Sequence, residues 1–535
     1  MLTARKDRRM PLAYTPPPHV SQHWQVTKPA ARGRRGMVAS QSRDAAEAGI
    51  AVLEAGGNAA DAAVAAAFAL AAMEPWNSGI GGIGFAQVAA PGQPAETLDF
   101  GPVSPAGLDP SAFPMTGRMK QDLFAWPEVV GDRNIHGPLS FVIPSSVAGY
   151  AALHQKHGRM PVADVLAPAI ALARRGLPQD WFTTLKIANS AATLRLYQES
   201  ARIYLPGGLP PVAPYQGSPG FFRQGALPET LERLARAGLR DFYEGEIAAA
   251  IAADVKDMGG LLTAADLAGC QARFLPAVAA PWRGLTLQLS NGLTAAPTFR
   301  RVMALMEGAD WSGTAPSTAW HLAFARAMQA AYAERLEGLG EAEPKGADSC
   351  TTHLTVCDAD GMMVAMTTTL LSSMGSRVVL PRSGVLMNNG VMWFDPRPGT
   401  PNAIAPNRRP LCNMSPLLAT DASGRPVLAM GASGGRRILA AVFQMLSYVA
   451  GFGMDPEAAA HAPRLDVSGP EGATADRRLP AATLEGLAAL GPLEVVEHAV
   501  LPVNFACPNL IAIGPDGTRT GVTDVMSPWS AAIAQ

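Results

Sequence analysis

The segment Ala59 to Met73 reads Ala-Ala-Asp-Ala-Ala-Val-Ala-Ala-Ala-Phe-Ala-Leu-Ala-Ala-Met, a helix that is apolar on nearly every face apart from Asp61. A helix at a protein surface needs a polar face. One without such a face must be covered on all sides, so the chain has to build layers around it. Asn58 is placed to cap this helix, and Glu74-Pro75-Trp76 stops it. Just upstream, Ser42 to Ala55 predicts a second helix with a serine cap, ended by Gly56-Gly57. No stretch reaches the roughly 18 unbroken apolar residues that a membrane helix needs, so burial in a protein core is the expectation.

The order of elements narrows the fold further. The run Ser78-Gly79-Ile80-Gly81-Gly82-Ile83-Gly84 is followed by a strand-like Phe85-Ala86-Gln87-Val88. A dinucleotide fingerprint follows a strand and opens a helix, whereas here the order is helix, glycines, strand. Close backbone packing is therefore the expected role. The middle third predicts helices over Thr230 to Ala237, Ile247 to Asp257 and Thr263 to Leu267. From Thr351 onward strands alternate with glycine-rich turns, with one long helix from Arg436 to Val449. There are no internal repeats. Helices first and strands later in one chain of 535 residues point to a layered α/β sandwich.

Lys plus Arg total 43 and Asp plus Glu 44, for a net charge of −1, which gives no reason to expect nucleic acid or an anionic membrane as partner. A small neutral or zwitterionic substrate fits better. Cys270, Cys350, Cys357, Cys412 and Cys507 show no paired spacing of the kind that holds zinc or forms a redox dithiol, so free thiols in a reducing compartment are expected. Met1 to Arg35 carries scattered basic residues and Pro16-Pro17-Pro18 without a following apolar region, which predicts a mobile leader on a cytoplasmic protein.

The chemistry concentrates at Thr351-Thr352-His353-Leu354-Thr355-Val356, preceded by Gly346-Ala347-Asp348-Ser349-Cys350 and answered by Thr367-Thr368-Thr369. A threonine hydroxyl is a weak nucleophile unless a base adjoins it, and one solution is a threonine whose own α-amino group serves. That requires a cut between Cys350 and Thr351. Threonine also simply suits strands. His353 shares a strand face with Thr351 but lies about 6.5 to 7 Å along the strand, beyond direct hydrogen-bond reach. A packed imidazole is the expectation for it.

Taken in order, several stretches resemble the γ-glutamyltransferase family, a branch of the N-terminal-nucleophile hydrolases. They are Gly36 to Ser40, Gly56 to Ala63, Ile143 to Gly149, Phe242 to Gly245 with Gly259 to Thr263, Thr351 to His353, Arg409 to Leu411 with Met414 to Pro416, and Gly434 to Ile438. The resemblance covers nearly everything after Gly36. It implies a four-layer αββα sandwich and a precursor that cleaves itself at Cys350–Thr351. The implied division is a leader 1–35, a large fragment 36–350 and a small fragment 351–535, with the two fragments associating as a heterodimer and a higher oligomer open. It also implies Thr351 as nucleophile, Thr369 as the threonine that orients it, and Gly434 and Gly435 as an oxyanion-hole pair. No metal or organic cofactor is implied.

The pattern departs from the family where the substrate head group binds. The family holds the substrate's α-carboxylate with arginine in an Asp-Phe-Arg context, and this chain has Asp99-Phe100-Gly101. After Asn388 and Asn389, Gly390 and Trp393 occupy the places of groups that hold the α-amine. Leu371 replaces a usual asparagine, and Cys412-Asn413 a serine pair. All of these changes move away from charge recognition. Asn388 to Pro396 resembles the oxamate amidohydrolase type, which predicts hydrolysis of a small amide. Its carboxylate would need a cation or amide array, with Asn413, Arg408, Arg409 and the Gly434-Gly435 amides as candidates. The loop from Pro396 to Pro410 looks shorter than in many relatives, which suggests a more open mouth.

Three alternatives stand beside this reading. The chain is a γ-glutamyl hydrolase or transferase acting on glutathione, or a non-catalytic relative. Alternatively, Gly431-Ala432-Ser433-Gly434-Gly435 is a nucleophile elbow, with Asp466 and His498 completing an α/β-hydrolase triad.

Overall fold

The computed structural model describes residues 26–120, 126–339, 349–469 and 472–535. The run Gly346-Ala347-Asp348 lies outside them. The strands that frame the site are β1 (Ala31–Gly33), β2 (Met37–Ser40), β3 (Ile83–Ala89), β4 (Glu96–Phe100), β5 (Arg273–Pro276), β6 (Val278–Trp282) and β7 (Leu285–Leu289). They continue with β8 (Ser349–Cys357), β9 (Met363–Ser372), β10 (Leu417–Thr420), β11 (Pro426–Ser433), β12 (Cys507–Ile513), β13 (Arg519–Thr523) and β14 (Ala531–Ala534). Two seven-stranded sheets result, in the orders β14-β2-β8-β9-β3-β4-β5 and β1-β13-β12-β11-β10-β7-β6.

The sheets pack face to face through Met37, Ala39, Met363 and Ala365 from the first and Leu418, Ala429 and Ile511 from the second. Helices α1 (Arg43–Glu54) and α2 (Ala59–Met73) cover the outer face of the first sheet, against Leu354, Val356, Val364 and Met366. A short helix α3 (Trp181–Ala188) lies further along the chain. Helices α4 (Thr318–Leu339) and α5 (Arg437–Leu446) cover the outer face of the second sheet, where Phe324, Met328 and Phe443 meet Leu417 and Met430. Helix, sheet, sheet, helix is the four-layer αββα sandwich.

Helix α2 has the bounds its sequence predicts, and every one of its residues is buried. The Asn58 side chain accepts from the amides of Ala60 and Asp61, and Asp61 reaches back to the Asn58 N–H, a reciprocal cap. Ser42 stands at the cap position of α1 but its side chain makes no capping bond; its N–H donates to the Ser40 hydroxyl. The glycine run acts in packing. A Cβ on Gly82 would come within 2.5 Å of the Thr369 carbonyl, and one on Gly84 within 2.3 Å of that of Thr367. The glycines let α2 turn directly into β3 beside the Thr367–Thr369 strand.

Two expectations need correction. The long helix over Arg436 to Val449 is α5 followed by a single π-helical turn, Ser447–Gly451. The mobile leader does not extend to Arg35: β1 pairs with β13, and Lys28 Nζ donates to the carbonyls of Asp524, Ser527 and Ser530. These partners lie nearly 500 residues away, so no local pattern marks the ordered stretch. The rest of the leader, residues 1–25, lies outside the described residues. Cys270, Cys357 and Cys412 are buried free thiols and Cys507 a half-buried one, in line with the absence of paired spacing.

Candidate active site

Strand alternation sorts the threonine cluster onto two faces. On β8, Thr351, His353 and Thr355 look into the space between the sheets, and Thr352 looks back toward α2. On β9 the inward side chains are Thr367 and Thr369. Thr351 Oγ1 donates to Thr369 Oγ1 at 3.2 Å, and the Leu371 amide donates to the same Thr369 oxygen at 2.8 Å. Thr369 is thus locked by its own backbone while it faces Thr351.

The ladder is irregular at this point. Thr352 pairs with Thr368, but Cys350 pairs with Leu371, so β9 carries one more residue than β8 across the Thr351 position. Leu371 takes φ +90°, a left-handed conformation that a leucine rarely adopts. Irregular pairing beside a reactive group is a common way of aiming a side chain. Here it sets the peptide before Thr351 apart from the regular ladder.

His353 is a structural residue, as its spacing suggests. Its two ring nitrogens are bonded to the hydroxyls of Thr367 (2.8 Å) and Thr355 (3.1 Å), and burial lowers its pKa from 6.5 to about 3. Gly431 leaves room for the ring, since a Cβ there would be 2.3 Å from it.

At the end of β11 the backbone turns through Gly434 (φ +133°) and Gly435 (φ +59°) into α5. A Cβ on Gly434 would sit 2.8 Å from Ala506, so only glycine fits both the angle and the space. Backbone amides arranged in this way ahead of a helix favour negative charge. Gly434 and Thr351 line one cavity, together with Glu74, Lys186, Arg437 and His498. Glu74, the residue after α2, is fully buried. Burial raises its pKa from 4.5 to about 7, partly opposed by hydrogen bonds from Thr352 (2.9 Å) and Asn77 and by the Lys186 charge.

The expected substrate residues gather elsewhere. Leu371, Trp393 and Cys412 join Phe85 in a buried apolar cluster, and the Phe85 ring fills the space beside Gly101, 2.5 Å from where a Cβ would be. Gly390 is pressed against Val142 at 2.4 Å in the same sense. Asn389 serves the framework: its amide donates to Ile135 O and Ser372 Oγ, and its oxygen accepts from the Ser372 N–H. None of Gly101, Asn389, Gly390, Trp393, Cys412 or Asn413 is among the residues lining the Thr351 cavity.

Neither arginine named as a carboxylate ligand is among the residues lining the Thr351 cavity. Arg409 is paired with Asp99 (3.0 Å), which also holds Arg273 (2.6 Å), and Arg408 is exposed. Asn413 accepts from Arg335 Nη2 at 3.2 Å, and Arg335 also donates to the Cys412 carbonyl at 2.9 Å. Arg335 is a buried guanidinium on α4, and among the described residues no carboxylate lies within ion-pair distance of it. It was not legible from sequence, because an arginine beside Glu334 near the end of a helix reads as surface.

The triad alternative does not assemble. β11 runs antiparallel to both its neighbours, unlike the parallel strand of a nucleophile elbow. Ser433 Oγ accepts from Gln41 Nε2, Asp466 accepts from Ser468 (2.9 Å), and His498 faces Asp524 instead (3.4 Å).

Comparisons with known proteins agree with this architecture. The sequence profile of the Gamma-glutamyltranspeptidase family matches residues 45–346 and 338–528. The chain is 28% identical over 551 residues to the glutathione hydrolase proenzyme of Escherichia coli (strain K12), covering 93% of this chain and 91% of that one. It is 29% identical over 552 residues to the acylase ACY 1 proenzyme of Pseudomonas sp. (strain SE83), covering 95% of each. Among solved structures, the cephalosporin acylase from Bacillus halodurans superposes with a TM-score of 0.81 at 25% identity, covering 96% of this chain and 98% of that one. The fold, the ordered motifs and a match spanning most of the sequence lead to one assignment: this chain belongs to the gamma-glutamyltranspeptidase family of N-terminal-nucleophile enzymes.

Proposed function

We propose that the protein is a self-processing amidohydrolase whose nucleophile is Thr351, and that its substrate is a small amide of the oxamate type. The observation that carries the first part is the Thr351–Thr369 hydrogen bond at an irregular point of the β8–β9 ladder, in a cavity shared with Gly434. In processing, the Thr351 hydroxyl attacks the Cys350 carbonyl carbon, the C–N bond breaks, and water opens the resulting ester. Fragments 36–350 and 351–535 result, with a new amino group on Thr351.

That amine, with an ordinary pKa of about 7.7 to 8.0, accepts the hydroxyl proton when Thr351 attacks a substrate amide. The oxyanion faces the Gly434 and Gly435 amides. The leaving amine takes the proton, and water then releases the acid. Thr369 holds the hydroxyl in line.

The second part is supported by the positions where the family resemblance places the head-group clamp: Phe85, Leu371, Trp393 and Cys412 fill them with an apolar cluster, which supplies none of the paired ions that a free γ-glutamyl group needs. The likeness to the E. coli glutathione hydrolase proenzyme keeps a γ-glutamyl amide as the second reading. Ammonia release from oxamate is measured beside amine release from a γ-glutamyl amide, with wild type and Thr351→Ala. Thr351-dependent turnover of oxamate alone is the expected result. Turnover of the γ-glutamyl amide alone would replace the first reading with the second.

A further inference from the structure

The cavity that holds Thr351 carries spare polar capacity that nothing in the chemistry above uses. Lys186 projects into it from α3, one turn beyond Phe182, whose ring lies 5.1 Å from the ammonium. Among the described residues the ammonium has no hydrogen-bond or carboxylate partner. Arg437, the first residue of α5, donates from Nη1 to the Val503 carbonyl and from Nε to the Gly434 carbonyl (3.4 Å), which leaves Nη2 available. His498 is buried, its Nε2 turned to Asp524, and its Nδ1 is a buried polar atom without a hydrogen-bond partner. Orphaned buried polar atoms are rare and call for a ligand or water.

The cavity's carboxylates do not neutralise the two cations, Lys186 and Arg437. Asp524 is committed to the buried Arg464 and to His498. Glu74 accepts from Thr352 and stands outside ion-pair distance of both cations. The Thr351 hydroxyl and Gly434 therefore share one space with an ammonium, a guanidinium edge and an unmatched imidazole nitrogen. A carboxylate accepts from the ammonium and the guanidinium, and bonds of this charge-assisted type are the strong ones; the imidazole nitrogen, whose ring partner donates to Asp524, is placed to accept from a substrate N–H.

We propose that Lys186 and Arg437 form the subsite for an anionic group, a carboxylate next to the scissile amide of the substrate, with His498 Nδ1 accepting from that amide's N–H. This rests on the amidohydrolase reading of Thr351 and replaces the anion clamp that Gly101 cannot provide. Specificity has then moved from the end of β4 to α3, the start of α5 and the segment around His498.

The test is a titration calorimetry series on the processed protein, using oxalate as a non-hydrolysable product carboxylate, neutral oxamide and inorganic phosphate. Oxalate is expected to bind at least roughly tenfold more tightly than oxamide, and Lys186→Gln to weaken oxalate by roughly tenfold while changing oxamide less than about twofold. Lys186→Arg should restore most of the oxalate affinity. Arg437→Gln provides a second, independent loss should Lys186→Gln fail to process. Equal oxalate affinity in wild type and the glutamine variants overturns the subsite, as does oxalate binding no tighter than oxamide. Phosphate binding more tightly than oxalate also overturns it, since that marks a general anion site. Oxalate binding that depends on Lys186, without ammonia release from oxamate, leaves the subsite standing and removes the oxamate reading instead.

Discussion

The region around Thr351 on β8 and the region around Gly101 at the end of β4 belong to the same sheet, with β9 and β3 between them, yet they are built on opposite terms. Around Thr351 each of these buried hydroxyls has a partner: Thr351 with Thr369, Thr352 with Glu74, and Thr367 and Thr355 with the two ring nitrogens of His353. Around Gly101 the contents are Phe85, Leu371, Trp393 and Cys412, and the adjoining polar groups, Asp99 and Asn389, are tied to the framework. A matched hydroxyl network tolerates little, because each lost partner leaves a buried polar atom unpaired. An apolar cluster tolerates exchange as long as its volume is kept. Recognition can therefore change within this fold without disturbing the strand pair that carries the proposed chemistry.

The largest effect should come from the first region. Thr351→Ala removes one hydroxyl from a matched pair, yet it should leave the polypeptide as a single band of full length on a denaturing gel. Any amidase activity should drop by roughly four orders of magnitude or more. A processed Thr351→Ala protein would move the nucleophile elsewhere and dissolve the contrast between the regions.

A charge placed in the second region should show what its apolar character is worth. Trp393→Asp puts a carboxylate at a place where the family resemblance implies a ligand of the α-amine, but the position is buried among Leu371, Phe394 and Cys412. An unpaired carboxylate there should cost roughly 3–5 kcal/mol, seen as a fall in the denaturant midpoint at neutral pH. No γ-glutamyl turnover should appear, because Phe85 still fills the space at Gly101. Turnover gained without loss of stability would mean that the cluster is an open pocket.

Gly434→Ala tests the point where the two sheets contribute to one site. Its φ of +133° and the 2.8 Å approach to Ala506 force the backbone to shift, which re-aims the amides beside Thr351. The turnover rate should fall about 10²- to 10³-fold with the Michaelis constant nearly unchanged, the signature of a lost transition-state contact.

What the sequence made legible follows the same division. Helix α2 was readable to its end residues because an all-apolar face and a capping Asn58 are local signals. The Thr351–Thr369 partnership was readable through motif order and strand alternation. The extra residue on β9 and the left-handed Leu371 were not, since a leucine carries no mark of positive φ. Arg409 looked available to a ligand because its partner Asp99 lies 310 positions away. Lys186, Arg437 and His498 gave no joint signal for the same reason: three elements distant in sequence meet at one cavity.

The smallest effect concerns Glu74, where the matched network meets the cavity. Burial is the dominant cause of its shift from 4.5 to about 7, and the Thr352 and Asn77 bonds and the Lys186 charge only partly offset it. Between these two values the folded protein holds a proton that the unfolded chain has released, so stability falls as pH rises through that window. The favourable contribution is complete below about pH 4.5 and lost above about pH 7. Its size is at most about 3 kcal/mol, and solvent reaching the cavity reduces it. Glu74→Gln should therefore flatten the decline in denaturant midpoint between pH 5 and about 7.5 and stabilise the protein mainly at the alkaline end. A variant with an unchanged pH profile would show that the carboxylate is ionised throughout and paired with Lys186. That outcome would also weaken the anion subsite, because the ammonium would no longer be available to a substrate carboxylate.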